Sequence, residues 1–164
     1  MMKIKYLKHD LKMKDLEFIG GEGNSCAIDL YTAEDIEIRP FEFKLIDLGV
    51  SIDIPAGYKA ELRMRSSTFK NFNILQTNSM GLIDTTYVGA NDIIKLPVYC
   101  VPVRKGIENM ESLFNKTIII PKHTRIAQLE ILQSTKDIEL VPCHTIEEYG
   151  NKQDRGGFGS TGTL

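Results

Sequence analysis

The final ten residues, RGGFGSTGTL, carry groups suited to a ligand that has both phosphates and a flat ring. Arg155 can pair with an anion, Phe158 offers a ring face, and a glycine backbone can approach a phosphate closely. The same composition is typical of a disordered polar terminus, because it offers little apolar area to offset the entropy of ordering. Taken alone, the segment leaves both interpretations open.

An aspartate directly after an apolar pair is the second candidate. Asp84 follows Leu82 and Ile83, which predicts a carboxylate presented from a strand end into a partly dry environment. Such a carboxylate can accept a proton from water as a general base, and Tyr87 can pack against a sugar ring. The alternative is an Asp-initiated turn beside a core tyrosine.

A run of hydroxyl residues next to an arginine is the third candidate. Arg65, Ser66, Ser67 and Thr68 follow a strand pattern, and the hydroxyls favour N-capping of a short helical turn. Free N–H groups beside an arginine suit a phosphate. The alternative is a plain cap with a solvated arginine.

Alternation in RIAQL predicts a strand with Arg125, Ala127 and Leu129 on one face and Ile126 and Gln128 on the other. A glutamine that shares a face with an isoleucine is unusual on a solvated side. Gln128 therefore either reaches a ligand or covers a subunit interface. Asp29 likewise interrupts an apolar run, where an unpaired carboxylate would be costly to bury.

Short β-rich runs must position these side chains. The charged and apolar residues of segment 1–10 alternate, which predicts a first strand, and runs 45–54 and 58–65 flank a Pro-Ala-Gly turn, which predicts a hairpin. Many short strands without βαβ alternation predict an all-β sandwich or barrel. Further strands are predicted at 26–31, 72–76, 93–103, 117–121, 126–132 and 137–141.

One segment has a helical period. Apolar residues share a face within 107–114, which predicts a short helix on an excursion from the sheets. Apolar density falls from residue 138 onward, so segment 147–154 is expected to lead as a polar arm into the glycine-rich end.

Composition narrows the function classes. The 164 residues fit one domain, and a net charge of -2 argues against binding nucleic acid by bulk electrostatics. We find no membrane-span or signal-peptide pattern. Three cysteines without CxxC spacing and three scattered histidines give no metal signature, so we expect structural cysteines in a reducing cytoplasm.

In chain order, these segments resemble the five motifs of the trimeric dUTP diphosphatase (dUTPase) family. Each motif alone is weak, but five in the correct order are specific, and they extend over about residues 24–162. They are CAIDLYTA at 26–33, RSS at 65–67, GLIDTTYVG at 81–89, RIAQL at 125–129 and RGGFGSTG at 155–162.

The resemblance implies an all-β distorted jelly roll of the β-clip type, with one short helix and a mobile C-terminal arm. It implies a β domain over 1–145, with an excursion at about 104–116, and an arm over 146–164. A homotrimer would build each site from all three subunits. The implied reaction converts dUTP to dUMP and pyrophosphate with Mg²⁺, which limits uracil incorporation into DNA and supplies dUMP.

The resemblance also implies residue roles. Asp84 corresponds to the carboxylate that activates water for in-line attack on the α-phosphorus, and Asp29 to an outer-shell group of a magnesium ion held mainly by triphosphate oxygens. Base and sugar contacts correspond to Asn78 in a uracil-reading hairpin, Gly81, Tyr87 beneath the deoxyribose, and Phe158 over the uracil. Phosphate contacts correspond to Arg65, Ser66, Ser67, Gln128, Arg155, Gly159, Ser160 and Thr161.

Three departures from the family pattern stand out. Thr86 replaces the second acid of the third motif, which we expect to alter local bonding without abolishing the chemistry, and Ala27-Ile28 replaces a common Gly-Tyr pair. The interval from Asp84 to Arg125 is longer than in compact relatives by roughly fifteen residues, a length that indicates a functional or disordered loop.

Two rival functions follow from the same fold. A dCTP deaminase would place a catalytic glutamate on the strand after the third motif, but segment 91–98 has none. A regulatory protein on a dUTPase scaffold would contact a protein partner through the 104–116 excursion, and catalysis could coexist with that role. A phage origin would place the protein in the bacterial host cytoplasm. No nucleic-acid or membrane partner is expected.

Overall fold

The computed structural model describes residues 3–19, 25–102, 111, 116–135 and 138–150. The chain divides into two compact units, residues up to Ser134 and residues from Thr135 onward. Within the described ranges, the first unit contains eleven strands and the helix α1 (Ser66–Phe72). The strands are β1 (Lys5–Lys8), β2 (Ala27–Tyr31), β3 (Ile36–Ile38), β4 (Phe43–Asp47), β5 (Val50–Asp53), β6 (Tyr58–Met64), β7 (Ile74–Gln76), β8 (Gly81–Ile83), β9 (Lys95–Cys100), β10 (Ile118–Ile120) and β11 (Arg125–Gln133).

The strands form four antiparallel sheets in the all-β jelly roll that the sequence predicts. Their orders are β2-β11-β6-β8, β4-β9-β7, β1-β5 and β10-β3. Alternating apolar residues face inward, as in β9, where Leu96, Val98 and Cys100 are buried and the intervening residues are more exposed. Side chains from all four sheets meet in one core, so burial of this shared apolar face stabilises the unit.

The predicted hairpin over 45–54 and 58–65 is wrong. Gly49 has a φ of 66°, and a Cβ there would lie 3.1 Å from the Cβ of Ala33, so the first run divides into β4 and β5 at this turn. Strand β5 then pairs with β1, whereas β6 pairs with β11 and β8. The Pro-Ala-Gly turn therefore connects two different sheets and does not close a hairpin. Both β5 and β6 bury apolar residues in the shared core.

Several other strand predictions shift. Residues 138–141 form no strand, and Ile138, Leu140 and Val141 are exposed. Phe72 belongs to the end of α1 and not to β7, and the sequence pattern does not predict β3. The helix predicted at 107–114 falls on residues outside the described ranges, except position 111.

The second unit contains a short helix, α2 (Ile146–Tyr149), within residues 138–150. The Thr145 side chain caps it by accepting a hydrogen bond from the Glu148 N–H at 3.2 Å. The predicted division of the chain into 1–145 and 146–164 stays a prediction.

Candidate active site

Arg65 lies where β6 ends and α1 begins. It is the N-cap residue, and no side chain caps the helix, so the predicted hydroxyl cap is wrong. The Ile126 carbonyl instead accepts hydrogen bonds from the Arg65 N–H at 3.1 Å and the Thr68 hydroxyl at 2.8 Å. This anchoring to β11 leaves Ser66 and Ser67 exposed beside the arginine.

Asp29 on β2 is a buried carboxylate, 6% exposed, held between two arginines. Its Oδ2 lies 2.7 Å from Nη1 of Arg65 and 3.2 Å from Nη1 of Arg125. These cations compensate a charge that would otherwise be costly to bury. Among the described residues, Asp29 Oδ1 has no hydrogen-bond partner, so one acceptor of this buried carboxylate remains unsatisfied.

A β-bulge on β11 alters the predicted faces. The register with β2 shifts between Arg125 and Ala127, and the adjacent Ile126 and Ala127 are both buried. The prediction that Ile126 shares a face with Gln128 is therefore wrong. Gln128 is half-buried and pairs directly opposite Asp29, and Arg125 reaches the Asp29 carboxylate from beyond the bulge.

Asp84 follows β8 at the strand end, as predicted, but it is exposed in the single chain and not in a partly dry environment. Its Oδ1 accepts hydrogen bonds from the Thr86 N–H at 2.8 Å and the Thr86 hydroxyl at 2.6 Å. The Tyr87 N–H donates to the Asp84 carbonyl at 3.1 Å, which closes the turn. Two donors on one oxygen fix the orientation of this carboxylate.

Tyr87 is 41% exposed and is not a core tyrosine. Its hydroxyl donates a hydrogen bond to the Ile93 carbonyl at 3.0 Å, so the ring is tethered at its far end. A partly exposed, tethered ring next to a fixed carboxylate can form a flat wall for a ligand.

Asn78 lies in the turn between β7 and β8. Those strands pair in different sheets, so the predicted hairpin is a turn that crosses between sheets. The Gln76 side-chain amide bridges to Asn78 Oδ1 at 2.9 Å and to the Leu62 carbonyl at 3.1 Å. At Gly81 an added Cβ would lie 3.1 Å from the Leu62 Cβ, so a larger residue would displace this turn from β6.

Apart from Asn78 and Gly81, the described candidate residues fall into two separated groups. The Asp84 group consists of Asp84, Thr86 and Tyr87, and the Arg65 group consists of Asp29, Arg65, Ser66, Ser67 and Gln128. Ile83 pairs with Ala60, so Asp84 lies level with Lys59, whereas Arg65 follows the opposite end of β6. Six residue steps of extended strand amount to about 20 Å, more than the two side chains can span.

Arg155, Phe158, Gly159, Ser160 and Thr161 lie outside the described residues. In the described part of the chain, no three His, Cys, Asp or Glu side chains are grouped to hold a metal ion. No helix there is long and apolar enough to cross a membrane. Cys26, Cys100 and Cys143 are unpaired thiols, and burial raises the pKa of the Cys100 thiol.

Two contacts of the candidate residues do not follow from the sequence predictions above. The alternation of RIAQL predicts a strand position for Arg125 but not its pairing with Asp29, because that pairing depends on the bulge. The family pattern marks Thr86 as a departure and does not indicate that it donates to Asp84. The Asp-x-Thr spacing was a usable signal, since aspartate side chains commonly accept from the backbone N–H two residues ahead.

Known proteins resemble this chain over most of its length, although no family model matches it. The prophage-derived deoxyuridine 5'-triphosphate nucleotidohydrolase YosS of Bacillus subtilis is 43% identical over 136 residues, 83% of each chain. A deoxyuridine 5'-triphosphate nucleotidohydrolase of Hydrogenobaculum is 34% identical over 161 residues, 97% of this chain and 96% of the relative.

Solved structures of phage proteins share the fold. A dUTPase from phage phi11 of Staphylococcus aureus has a TM-score of 0.70 at 18% identity and covers 89% of this chain and 99% of its own; that structure is described with a structural Mg(II) ion. A Staphylococcus bacteriophage 80alpha dUTPase with dUpNHpp has a TM-score of 0.70 at 21% identity, and the match covers 99% of this chain and 100% of the phage protein. Phage dUTPases of the 80alpha type are described as controlling transfer of virulence genes.

Proposed function

The chain belongs to the deoxyuridine 5'-triphosphate nucleotidohydrolase (dUTPase) family, and we propose that it hydrolyses dUTP to dUMP and pyrophosphate with Asp84 as the general base. The observation that carries this proposal is the Asp84 carboxylate, fixed at a strand end by two hydrogen bonds from Thr86 and adjacent to the Tyr87 ring. A fixed carboxylate can orient a water molecule and accept its proton.

In the proposed step, Asp84 takes a proton from water while the water oxygen forms a bond to the α-phosphorus. The bond from the α-phosphorus to the oxygen that bridges it to the β-phosphorus breaks, and pyrophosphate leaves with that electron pair. Tyr87 packs beneath the deoxyribose and excludes a 2′-hydroxyl. Asn78 and Gly81 form the turn that reads uracil. The close approach of Gly81 to Leu62 fixes the backbone of this turn.

The Arg65 group is proposed to bind the phosphates. Phosphoryl transfer depends mainly on positioning and charge neutralisation, which Arg65, the exposed Ser66 and Ser67, and Gln128 can provide. From the resemblance, the arm supplies Phe158 over the base and further phosphate contacts as it closes. Those further contacts are Arg155, Gly159, Ser160 and Thr161.

Magnesium is the proposed cofactor, and Asp29 fits an outer-shell role. Its unsatisfied Oδ1 can accept a hydrogen bond from a metal-bound water, whereas two arginines already compensate its charge at Oδ2. When bound, the ion would neutralise negative charge on the triphosphate, whose oxygens are the ligands that Mg²⁺ prefers.

A homotrimer is proposed because one chain cannot bring its two groups together. About 20 Å of strand separates Asp84 from Arg65, so a substrate that touches both needs the Arg65 group of a neighbouring copy. Trimer symmetry would then create three equivalent sites from complementary surfaces. The resemblance also leads us to propose a cytoplasmic setting for the protein.

A regulatory role through the 104–116 excursion remains the second candidate. It is favoured by the likeness to phage dUTPases that are described as controlling gene transfer. The excursion lies almost entirely outside the described residues, so the proposed protein partner rests on the resemblance and on this likeness.

The proposed function is tested by a nucleotide panel. With Mg²⁺, the purified protein should release pyrophosphate from dUTP and far less from dTTP, dCTP or UTP, because the turn reads uracil and Tyr87 excludes ribose. Pyrophosphate release is measured at equal nucleotide concentrations. Absence of release from dUTP would overturn the enzymatic proposal, and equal release from UTP would overturn the role of Tyr87.

Thr86 gives a prediction specific to this chain. Thr86→Val removes the hydroxyl donor to Asp84 but keeps the backbone donor, so kcat should fall about tenfold, the effect of one lost hydrogen bond. KM for dUTP should change little, since Thr86 orients the Asp84 carboxylate and does not hold the nucleotide. Thr86→Ser should restore kcat. Steady-state kinetics of both variants test this, and an unchanged kcat in Thr86→Val would show that the hydroxyl does not position Asp84.

A further inference from the structure

A cavity of about 400 Å³ lies next to the Arg65 group and is lined by Lys12, Lys14, Tyr31, His123 and Arg125. None of the described acidic residues lines it. Lysine and arginine carry permanent positive charge near neutral pH, so three cations face one space in a protein whose net charge is -2. Such local concentration of one sign of charge attracts ligands of the opposite sign.

The two lysines are held at the cavity by the residue between them. Met13 is 2% exposed and belongs to the core, so its burial fixes the backbone of Lys12 and Lys14. The Met13 N–H donates to the Asp10 carbonyl at 3.1 Å, and Lys8 Nζ donates to the Met13 carbonyl at 3.0 Å. Lys12 and Lys14 therefore lie in a segment whose backbone is held by these hydrogen bonds and by the burial of Met13.

Neither lysine is neutralised by a neighbour. Within the described part of the chain, the Lys12 and Lys14 ammonium groups form no salt bridge, whereas Lys8 pairs with Asp15 at 2.7 Å and Lys122 pairs with Asp10 at 2.7 Å. Two uncompensated ammonium groups at one cavity repel each other, and an anionic ligand would relieve that repulsion.

The remaining lining residues are donors or are held in place. Arg125 pairs across the sheet with Tyr31, and its side chain is 56% exposed. Burial and the nearby Asp29 raise the pKa of the Tyr31 phenol, so it stays protonated as a donor. The His123 ring is fixed by Asp10 Oδ2 at 2.9 Å.

We propose that this cavity binds the diphosphate leaving group, inorganic pyrophosphate, as it departs from the α-phosphate. The inference rests on the proposed function, because Arg125 joins the cavity to the Arg65 group through their shared contact with Asp29 Oδ2. The cations of Arg65, Arg125, Lys12 and Lys14 thus form a continuous positive path away from the reacting phosphorus. Lysines suit this role as point charges that bind phosphate oxygens without a fixed geometry.

The test is calorimetric titration of the full chain with sodium pyrophosphate in EDTA, where no turnover is needed. The double variant Lys12→Gln, Lys14→Gln should weaken pyrophosphate binding about tenfold or more, since it removes two charge-assisted contacts. The matched control is Lys3→Gln, Lys5→Gln, which has the same spacing, exposure and charge change outside the cavity. The control should bind pyrophosphate as the unchanged protein does.

Equal weakening in the two double variants would overturn the inference, since it would reflect net charge alone. No weakening in the Lys12, Lys14 variant would overturn it as well. In a second arm, orthophosphate should bind more weakly than pyrophosphate; equal affinity would assign the cavity to free phosphate and contradict the leaving-group role. Pyrophosphate release from dUTP, measured separately, shows whether the proposed function itself holds.

Discussion

Asp84→Asn is expected to lower kcat for dUTP hydrolysis about 10²- to 10⁴-fold, the usual contribution of a general base. The asparagine carbonyl oxygen can still accept the two hydrogen bonds from Thr86, so the local geometry should persist. Only proton acceptance is lost, and dUTP affinity should stay close to that of the unchanged protein. Single-turnover kinetics and calorimetric titration with dUTP separate these two effects.

The matched control for this variant is Asp53→Asn, an exposed aspartate at the end of β5 that belongs to neither group. It should leave kcat unchanged. If Asp84→Asn retained full turnover, Asp84 would not be the base. If dUTP affinity fell in parallel with kcat, the carboxylate would be a binding group.

Arg65→Gln is expected to reduce turnover by about 10²-fold or more, because it removes a cation from charge that develops on the phosphates. It also leaves Asp29 with Arg125 as its remaining cation, so some loss of stability is expected. Arg65→Lys retains the charge and should fold better, yet it should recover only part of the activity because lysine lacks the planar guanidinium.

Arg39→Gln is the control for the Arg65 variants, since Arg39 is exposed and lies outside both groups. Thermal unfolding of each variant separates a folding defect from a catalytic one. Full turnover in a folded Arg65→Gln protein would remove Arg65 from the phosphate site.

The strand content and the candidate residues could be read from local sequence. The apolar run around Asp29 and the apolar pair before Asp84 each predict a strand that the structure contains. Such strand patterns are local, so these positions can be predicted without knowing which strands pair with one another.

Long-range pairing could not be read in the same way. The turn after Ile54 has hairpin chemistry, yet β5 and β6 pair with strands distant in sequence, because each buries its apolar face against a different sheet. The bulge near Arg125 is likewise a property of register with β2 and not of RIAQL itself. Without that bulge, the shared contact of Arg65 and Arg125 with Asp29 is not predictable.

The separation of the two groups also depends on register. Nothing in the order of the motifs indicates that Asp84 and Arg65 lie at opposite ends of β6. The pairing of Ile83 with Ala60 establishes this, and it is the basis on which we propose a site shared between copies.

Mixing two inactive variants tests whether each site is shared between subunits. Asp84→Asn and Arg65→Gln proteins are unfolded together in equal amounts, refolded, and assayed for pyrophosphate release from dUTP. If Asp84 and Arg65 at each site come from different subunits, random trimers should recover about a quarter of the sites, since each intact site needs one particular neighbour pair. If both residues acted within one chain, the mixture would remain as inactive as its components, which would contradict a site shared between subunits.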